Sequence, residues 1–174
     1  MRHLNILAIL TLAALLSACG KSSTSSDQAS APASTPEAAP AAAPASAPAA
    51  APTATQKAAL AMLPAAYQSA DLANGEAKFA ICKACHTVAK GGDNMVGPNL
   101  HGVFGRKAGS LAGFAYSDGM KALGVSWDAD SINKWISGPS AMVAGTKMTY
   151  VGMSDPKDRT DVVAYLKVAT SDAQ

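Results

Sequence analysis

Five residues, Cys82-Lys83-Ala84-Cys85-His86, constrain this chain more than anything else in it. Two thiols and an imidazole so closely spaced form the attachment signature of haem c. The chemistry explains the spacing. Two thiols must reach two vinyl groups on one porphyrin edge, and the next side chain must turn under the ring to the iron. Such a chain folds around a large flat group. A zinc site would want a second ligand pair. The only other histidines are His3 and His101, and the third cysteine, Cys19, stands near the N-terminus. A thioredoxin-like reading would want a βαβ context, which the pattern lacks.

Cysteine parity carries a second message. Two of the three cysteines are taken by haem, which leaves Cys19. Arg2 and His3 precede an apolar run from Leu4 to Leu16, broken only by Asn5 and Thr11. At about 13 residues it is too short for a span of about 20. With small residues at its end, it reads as a secretory signal over residues 1–18. Leu16-Ser17-Ala18-Cys19 resembles the lipobox of bacterial lipoproteins, in which cleavage leaves the cysteine as a lipidated N-terminus. Export agrees with the haem motif, because haem c is attached outside the cytoplasm.

Residues 19–70 are rich in Ala, Pro, Ser and Thr, with proline every four residues from Pro32 to Pro52. Alanine favours helix, but proline at that spacing removes a donor from every turn. The segment therefore reads as a disordered tether with polyproline character. It would span about 40 Å as a coil and about 150 Å when extended. Within it, Thr55 to Ala66 holds enough alanine for one short helix. That leaves 71–174 as a single folded domain. Its eleven Lys/Arg and ten Asp/Glu are interspersed, which argues against nucleic acid as a partner.

The domain reads as all-α with long loops. A first helix runs from about Leu72 to Ala84 behind Asp71 as N-cap. A second follows Asp128, with Ile132, Trp135 and Ile136 on one face, and stops at Gly138-Pro139. A third has Asp155 as N-cap and Pro156 at its first position, with an apolar stripe of Val162, Val163, Leu166 and Ala169. The glycine-rich stretch from Gly91 to Gly124 reads as loop. Loops this long need a purpose in a compact domain, and wrapping haem supplies one. The second iron ligand stays open on spacing alone. His101, Met95, Met120, Met142, Met148 and Met153 are all available, and most methionines merely fill cores. Met148 stands out because Gly145-Thr146-Lys147 forms a turn-like entry before it.

Gly97-Pro98-Asn99-Leu100-His101-Gly102-Val103-Phe104-Gly105-Arg106-Lys107-Ala108-Gly109 resembles the class I cytochrome c family. So do Gly145-Thr146-Lys147-Met148 and Arg159 to Lys167, and the resemblance covers about Asp71 to Thr170. It implies a cytochrome c fold, with several helices and long loops around one covalent haem. It implies His86 and Met148 as axial ligands, with the Pro98 carbonyl accepting the His86 ring N–H. His101 would be a structural histidine bonded to backbone. Tyr116 and Trp127 would donate to a haem propionate, with Arg106 near its charge. Two positions depart from the mitochondrial type: Met120 replaces a buried Asn, and Trp135 a Tyr. For Trp135 the expected role is core packing.

The ligand pair bears on the expected function. With His and Met on iron no coordination position is open, and this pair raises the reduction potential. The family resemblance implies a monomeric one-electron carrier rather than an enzyme. It would work in a respiratory chain, between a quinol-oxidising complex or dehydrogenase and a terminal oxidase or reductase. Cys19 would hold it to the bilayer at the periplasmic face. A dedicated electron-transfer subunit of a periplasmic oxidoreductase is the alternative, and a haem sensor or peroxidase a more distant one. The family's docking lysines would correspond to Lys83, Lys90, Lys107 and Lys147.

Overall fold

The computed structural model describes residues 51–172. The signal segment, Cys19 and most of the expected tether lie outside them. Seven helices are found among the described residues: α1 (Ala54–Ala61), α2 (Ala65–Gln68), α3 (Leu72–Lys83), α4 (Asp118–Ala122), α5 (Ala129–Ser137), α6 (Pro139–Met142) and α7 (Pro156–Ala169). Within the same residues the only β pairing is an isolated antiparallel bridge between Lys107 and Ser126. The fold is all-α, as expected.

Helix starts follow the expected capping chemistry. The Asp71 carboxylate accepts from the N–H groups of Ala73 and Asn74, opening α3. Asp128 and Ser131 form a reciprocal capping box on α5. Asp155 accepts from Lys157 and Asp158 behind Pro156. Two short helices were not legible in the pattern. α4 lies inside the stretch read as loop, where the Ser117 hydroxyl accepts from Met120 N–H. α6 begins at the Pro139 expected to end α5. Gly138 closes α5, and proline is well suited to begin the next helix because its missing N–H is not needed there.

Helical structure begins before residue 71, within the segment read as tether. Residues 54–68, assigned to the tether, form α1 and α2. Leu60, Leu63 and Tyr67 from this segment are buried in the same core as Val162, Val163 and Leu166 of α7. The physical reason is that the proline repeat ends at Pro52. Beyond it, Thr53 closes a capping box with Gln56, so a helix can start. The next apolar residues then find a surface to bury against. The expected short helix at Thr55 to Ala66 corresponds to α1 and the start of α2.

The pivot of the domain is the crossing of α3 and α7. Gly75 on α3 lies directly against the Asp161 carbonyl and Tyr165 Cβ of α7, where a methyl group would collide with backbone. Beside the crossing, Phe79 is buried with its ring centroid 5.4 Å from that of Tyr165. Asp161 is buried and paired with Lys157. It also accepts from Asp71 N–H at 2.9 Å and the Asn74 amide at 2.7 Å, so its charge is met on all sides.

Tyr67 bolts the N-terminal segment to α5. Its hydroxyl donates to the Asp130 carboxylate at 2.8 Å. Burial, together with the Asp130 carboxylate, raises its pKa to about 12. Tyr67→Phe should destabilise the protein by about 1–2 kcal/mol at neutral pH. A raised folded-state pKa means the contribution is fully present below the ordinary tyrosine value near 10. It is lost as pH climbs from there to about 12. Denaturant titrations of both proteins across that window should show the difference shrinking.

Candidate haem site

The Cys82-to-His86 run forms the end of α3 and the turn after it. The N–H groups of Cys85 and His86 both donate to the Cys82 carbonyl, at 3.0 and 2.9 Å. This tight turn puts both half-buried thiols on the same helix end, with no bridge between them. Burial pushes the Cys82 thiol up to about 11, and the neighbouring Cys85 adds to the effect.

His86 is oriented from behind. Its Nδ1 stands 2.8 Å from the Pro98 carbonyl oxygen, the contact the family pattern implied. With Nδ1 donating, the lone pair is on Nε2, free for a metal. Burial lowers the imidazole pKa, and the Pro98 bond partly opposes it. Gly97 lies flat on the ring, where a Cβ would overlap it. Its N–H donates to the Cys85 carbonyl at 2.8 Å.

Behind Pro98 stands Asn99, buried and fully bonded. Its side-chain amide donates to the Thr87 hydroxyl and the Ala89 carbonyl, while its oxygen accepts from His101 N–H. Arg106 donates to the backbone carbonyls of Asn99 at 2.9 Å and His101 at 3.4 Å. Trp127 N–H donates to the Arg106 carbonyl, and Gly105 N–H returns a bond to Trp127. Tyr116 faces the same guanidinium: burial raises its pKa, and the Arg106 charge pulls it back. The backbones of Arg106 and Trp127 are therefore paired, and Tyr116 lies within electrostatic reach of the Arg106 guanidinium. The His101 ring is placed differently from expectation. Its contact is with the Asp172 carboxylate at 3.6 Å, and it is the backbone of His101 that bonds Asn99 and Arg106.

Met148 is half-buried after the turn at Gly145, which adopts a positive φ of 70°. Its N–H donates to the Thr146 hydroxyl, and the Lys147 ammonium is anchored on the Ala115 carbonyl at 2.7 Å. Tyr150, two residues on, lies within electrostatic reach of the Cys82 thiol. Trp135 packs on Trp127 with centroids 5.8 Å apart, and buried Met120 joins the same core.

The donor set fits a covalent haem. Two unbridged thiols share a helix end, and an imidazole held through Nδ1 presents Nε2 beside them. Arg159 holds the far end of the Met148 loop. Its guanidinium donates to the carbonyls of Met153 and Ser154 and to the Asn133 side chain on α5. It ties the end of the Met148 loop to the core. The signal was an arginine in the first turn of α7, where a cation is unfavourable for the helix dipole. Arg159→Ala should cost about 2 kcal/mol in denaturant unfolding. Amide hydrogen exchange should rise selectively over residues 146–154.

Comparison with known proteins agrees with this geometry. The cytochrome c family model matches residues 72–170. Cytochrome c2 of Rhodomicrobium vannielii is 46% identical over 109 residues, covering 63% of this chain and 87% of that protein. Cytochrome c2 of Blastochloris viridis is 41% identical over 114 residues, covering 66% and 88%. Among solved structures, cytochrome cH from Methylobacterium extorquens is 49% identical. It superposes with a TM-score of 0.52, covering 56% of this chain and 97% of its own. The chain belongs to the cytochrome c family of electron carriers, whose members hold one covalently bound haem c.

Proposed function

We propose that the protein is a membrane-tethered, mono-haem one-electron carrier of a respiratory chain. It would pass electrons from a quinol-oxidising complex or dehydrogenase to a terminal oxidase or reductase. The observation that carries this reading is the orientation of the His86 imidazole by the Pro98 carbonyl beside two unbridged thiols on the same turn. Cys82 and Cys85 would anchor the haem, and His86 and Met148 would ligate its iron. When bound, the haem supplies reversible one-electron chemistry at its iron.

The chain's own residues do the rest. Pro98 and Gly97 hold the imidazole in one tautomer and one plane. Thr146, Lys147 and Arg159 hold the Met148 loop in place, so little rearrangement accompanies a change of charge. Trp127, Trp135, Met120 and Val103 keep the interior dry. Arg106, Tyr116 and Trp127 are grouped to receive a propionate. No side chain is assigned a role as acid, base or nucleophile, which separates this reading from that of an enzyme.

A potentiometric titration followed in the visible spectrum tests the carrier reading. A single reversible one-electron wave is expected, with the weak far-red band of a Met–iron bond in the oxidised protein. Met148→Ala should abolish that band and lower the potential. A native protein without the band would instead favour a sensor or peroxidase.

The tether reading rests on the lipobox-like run and the proline-rich tract. No described helix is long and apolar enough to cross a membrane. Acylation at Cys19 would provide attachment at the periplasmic face, since more than one chain is needed for a lasting hold. Tethering raises the concentration of the carrier at membrane partners. Cys19→Ser should move the protein from the membrane fraction to the soluble periplasmic fraction with its spectrum unchanged. Retention in the membrane would overturn the lipid anchor.

A further inference from the structure

One folded part of the chain stands outside the family match. The cytochrome c match begins at residue 72, and α1 and α2 lie before it. They form a built structure. A capping box opens α1. The Gln68 side-chain amide, at the end of α2, donates back to the Leu63 carbonyl at 2.8 Å. Leu60, Leu63 and Tyr67 are buried in one core with Trp127, Ile132 and Val163. Burial explains why the segment docks. It does not explain where the Tyr67 hydroxyl is aimed.

Tyr67 grips the first turn of α5. Its hydroxyl donates to the Asp130 carboxylate at 2.8 Å and lies 3.4 Å from the Ala129 carbonyl. Trp127 stands just before that turn, and from it hydrogen bonds lead on towards His86. Trp127 N–H donates to the Arg106 carbonyl at 2.9 Å, Gly105 N–H to the Trp127 carbonyl at 2.7 Å, and Ala108 N–H to the Val125 carbonyl at 2.8 Å. The Arg106 guanidinium donates to the Asn99 carbonyl at 2.9 Å. Asn99 follows Pro98, whose carbonyl holds His86 Nδ1 at 2.8 Å. Each step is a hydrogen bond or a peptide link. The start of α5 and the strips 105–108 and 125–127 therefore hold one another, and these strips carry Arg106 and Trp127. A helix end held from both sides stays closed, whereas one released on a side frays and admits water.

We propose that Tyr67 is a positioning residue for the haem pocket: its bond to the first turn of α5 fixes the strip that carries Trp127, keeps water from that wall and so raises the reduction potential. The inference rests on the carrier reading above and adds to it a residue from outside the family match. The sign follows from solvation. Without the bond, water reaches the wall and solvates the more positive oxidised iron better than the reduced one. The oxidised state gains and the potential falls. The hydroxyl carries the effect, because a phenylalanine ring would still fill the core.

The test uses the haem-loaded, full-length protein. At a fixed applied potential, Tyr67→Phe should shift the ratio of oxidised to reduced protein about threefold toward the oxidised form, a fall of about 30 mV at about 59 mV per tenfold. Asp130→Asn keeps an acceptor for the hydroxyl and should shift the ratio less than about 1.5-fold. Leu60→Ala removes packing from the same segment and lowers stability at least as much as Tyr67→Phe, yet should leave the ratio within about 1.5-fold of native. Amide hydrogen exchange at Gly105 and Trp127 should quicken in Tyr67→Phe about fivefold more than exchange at Val163 in α7, which reports global opening. A Tyr67→Phe protein that loses stability and keeps the native potential overturns the proposal and leaves α1 and α2 as a clip on the fold. An equal fall in Leu60→Ala overturns it too, because packing and not the hydroxyl would then set the wall. A native protein that does not titrate as a reversible one-electron couple overturns the carrier reading instead, and the exchange at Gly105 and Trp127 still reports whether Tyr67 holds that strip.

Discussion

The contact between Gly75 and the Asp161 carbonyl is the one on which the other features depend. It lets α3 and α7 approach until backbone touches backbone, and Phe79 and Tyr165 fill the space beside it. Because α3 is pinned there, its C-terminal end is a fixed platform. The Cys82-to-His86 turn stands on that platform. Asp161 reinforces the same crossing by receiving the start of α3 through Asp71 N–H and Asn74.

From that platform the loops are held by side chains bonding to backbone, since regular strands are lacking among the described residues. Asn99 joins the segment after His86 to the segment carrying Pro98, and Arg106 closes it from the far side. Arg159 does the equivalent work at the other end of the Met148 loop. Each uses a polar group with several donors to satisfy carbonyls that no helix or sheet serves, the requirement that any long loop in a compact domain must meet. Loops of this length are stable here because their backbone groups are paired one by one.

Much of this was legible in the sequence. The caps Asp71, Asp128 and Asp155 announced α3, α5 and α7, because capping is local chemistry within four residues. The attachment turn was legible for the same reason. The short helices α4 and α6 were not, since segments of four or five residues are too short for periodicity to register. Nor was the docking of α1 and α2, because an alanine-rich stretch beside a proline repeat carries no mark of what it will pack on. Tyr67 illustrates the point: only the fold brings it to Asp130, sixty-three residues away.

Local spacing by itself therefore determined the cofactor and its attachment, and the all-α class. The family resemblance, resting on motifs alone, pointed to Met148 and Pro98 as partners of His86. Tertiary structure decided what α1 and α2 pack against and what holds the end of the Met148 loop. The packed rings of Phe79 and Tyr165 lie eighty-six residues apart in sequence. The pairing of Lys90 with Asp172 spans eighty-two residues. Which charges are spent on each other and which apolar side chains meet at one face depends on long-range proximity, and that arises only when the chain closes on itself.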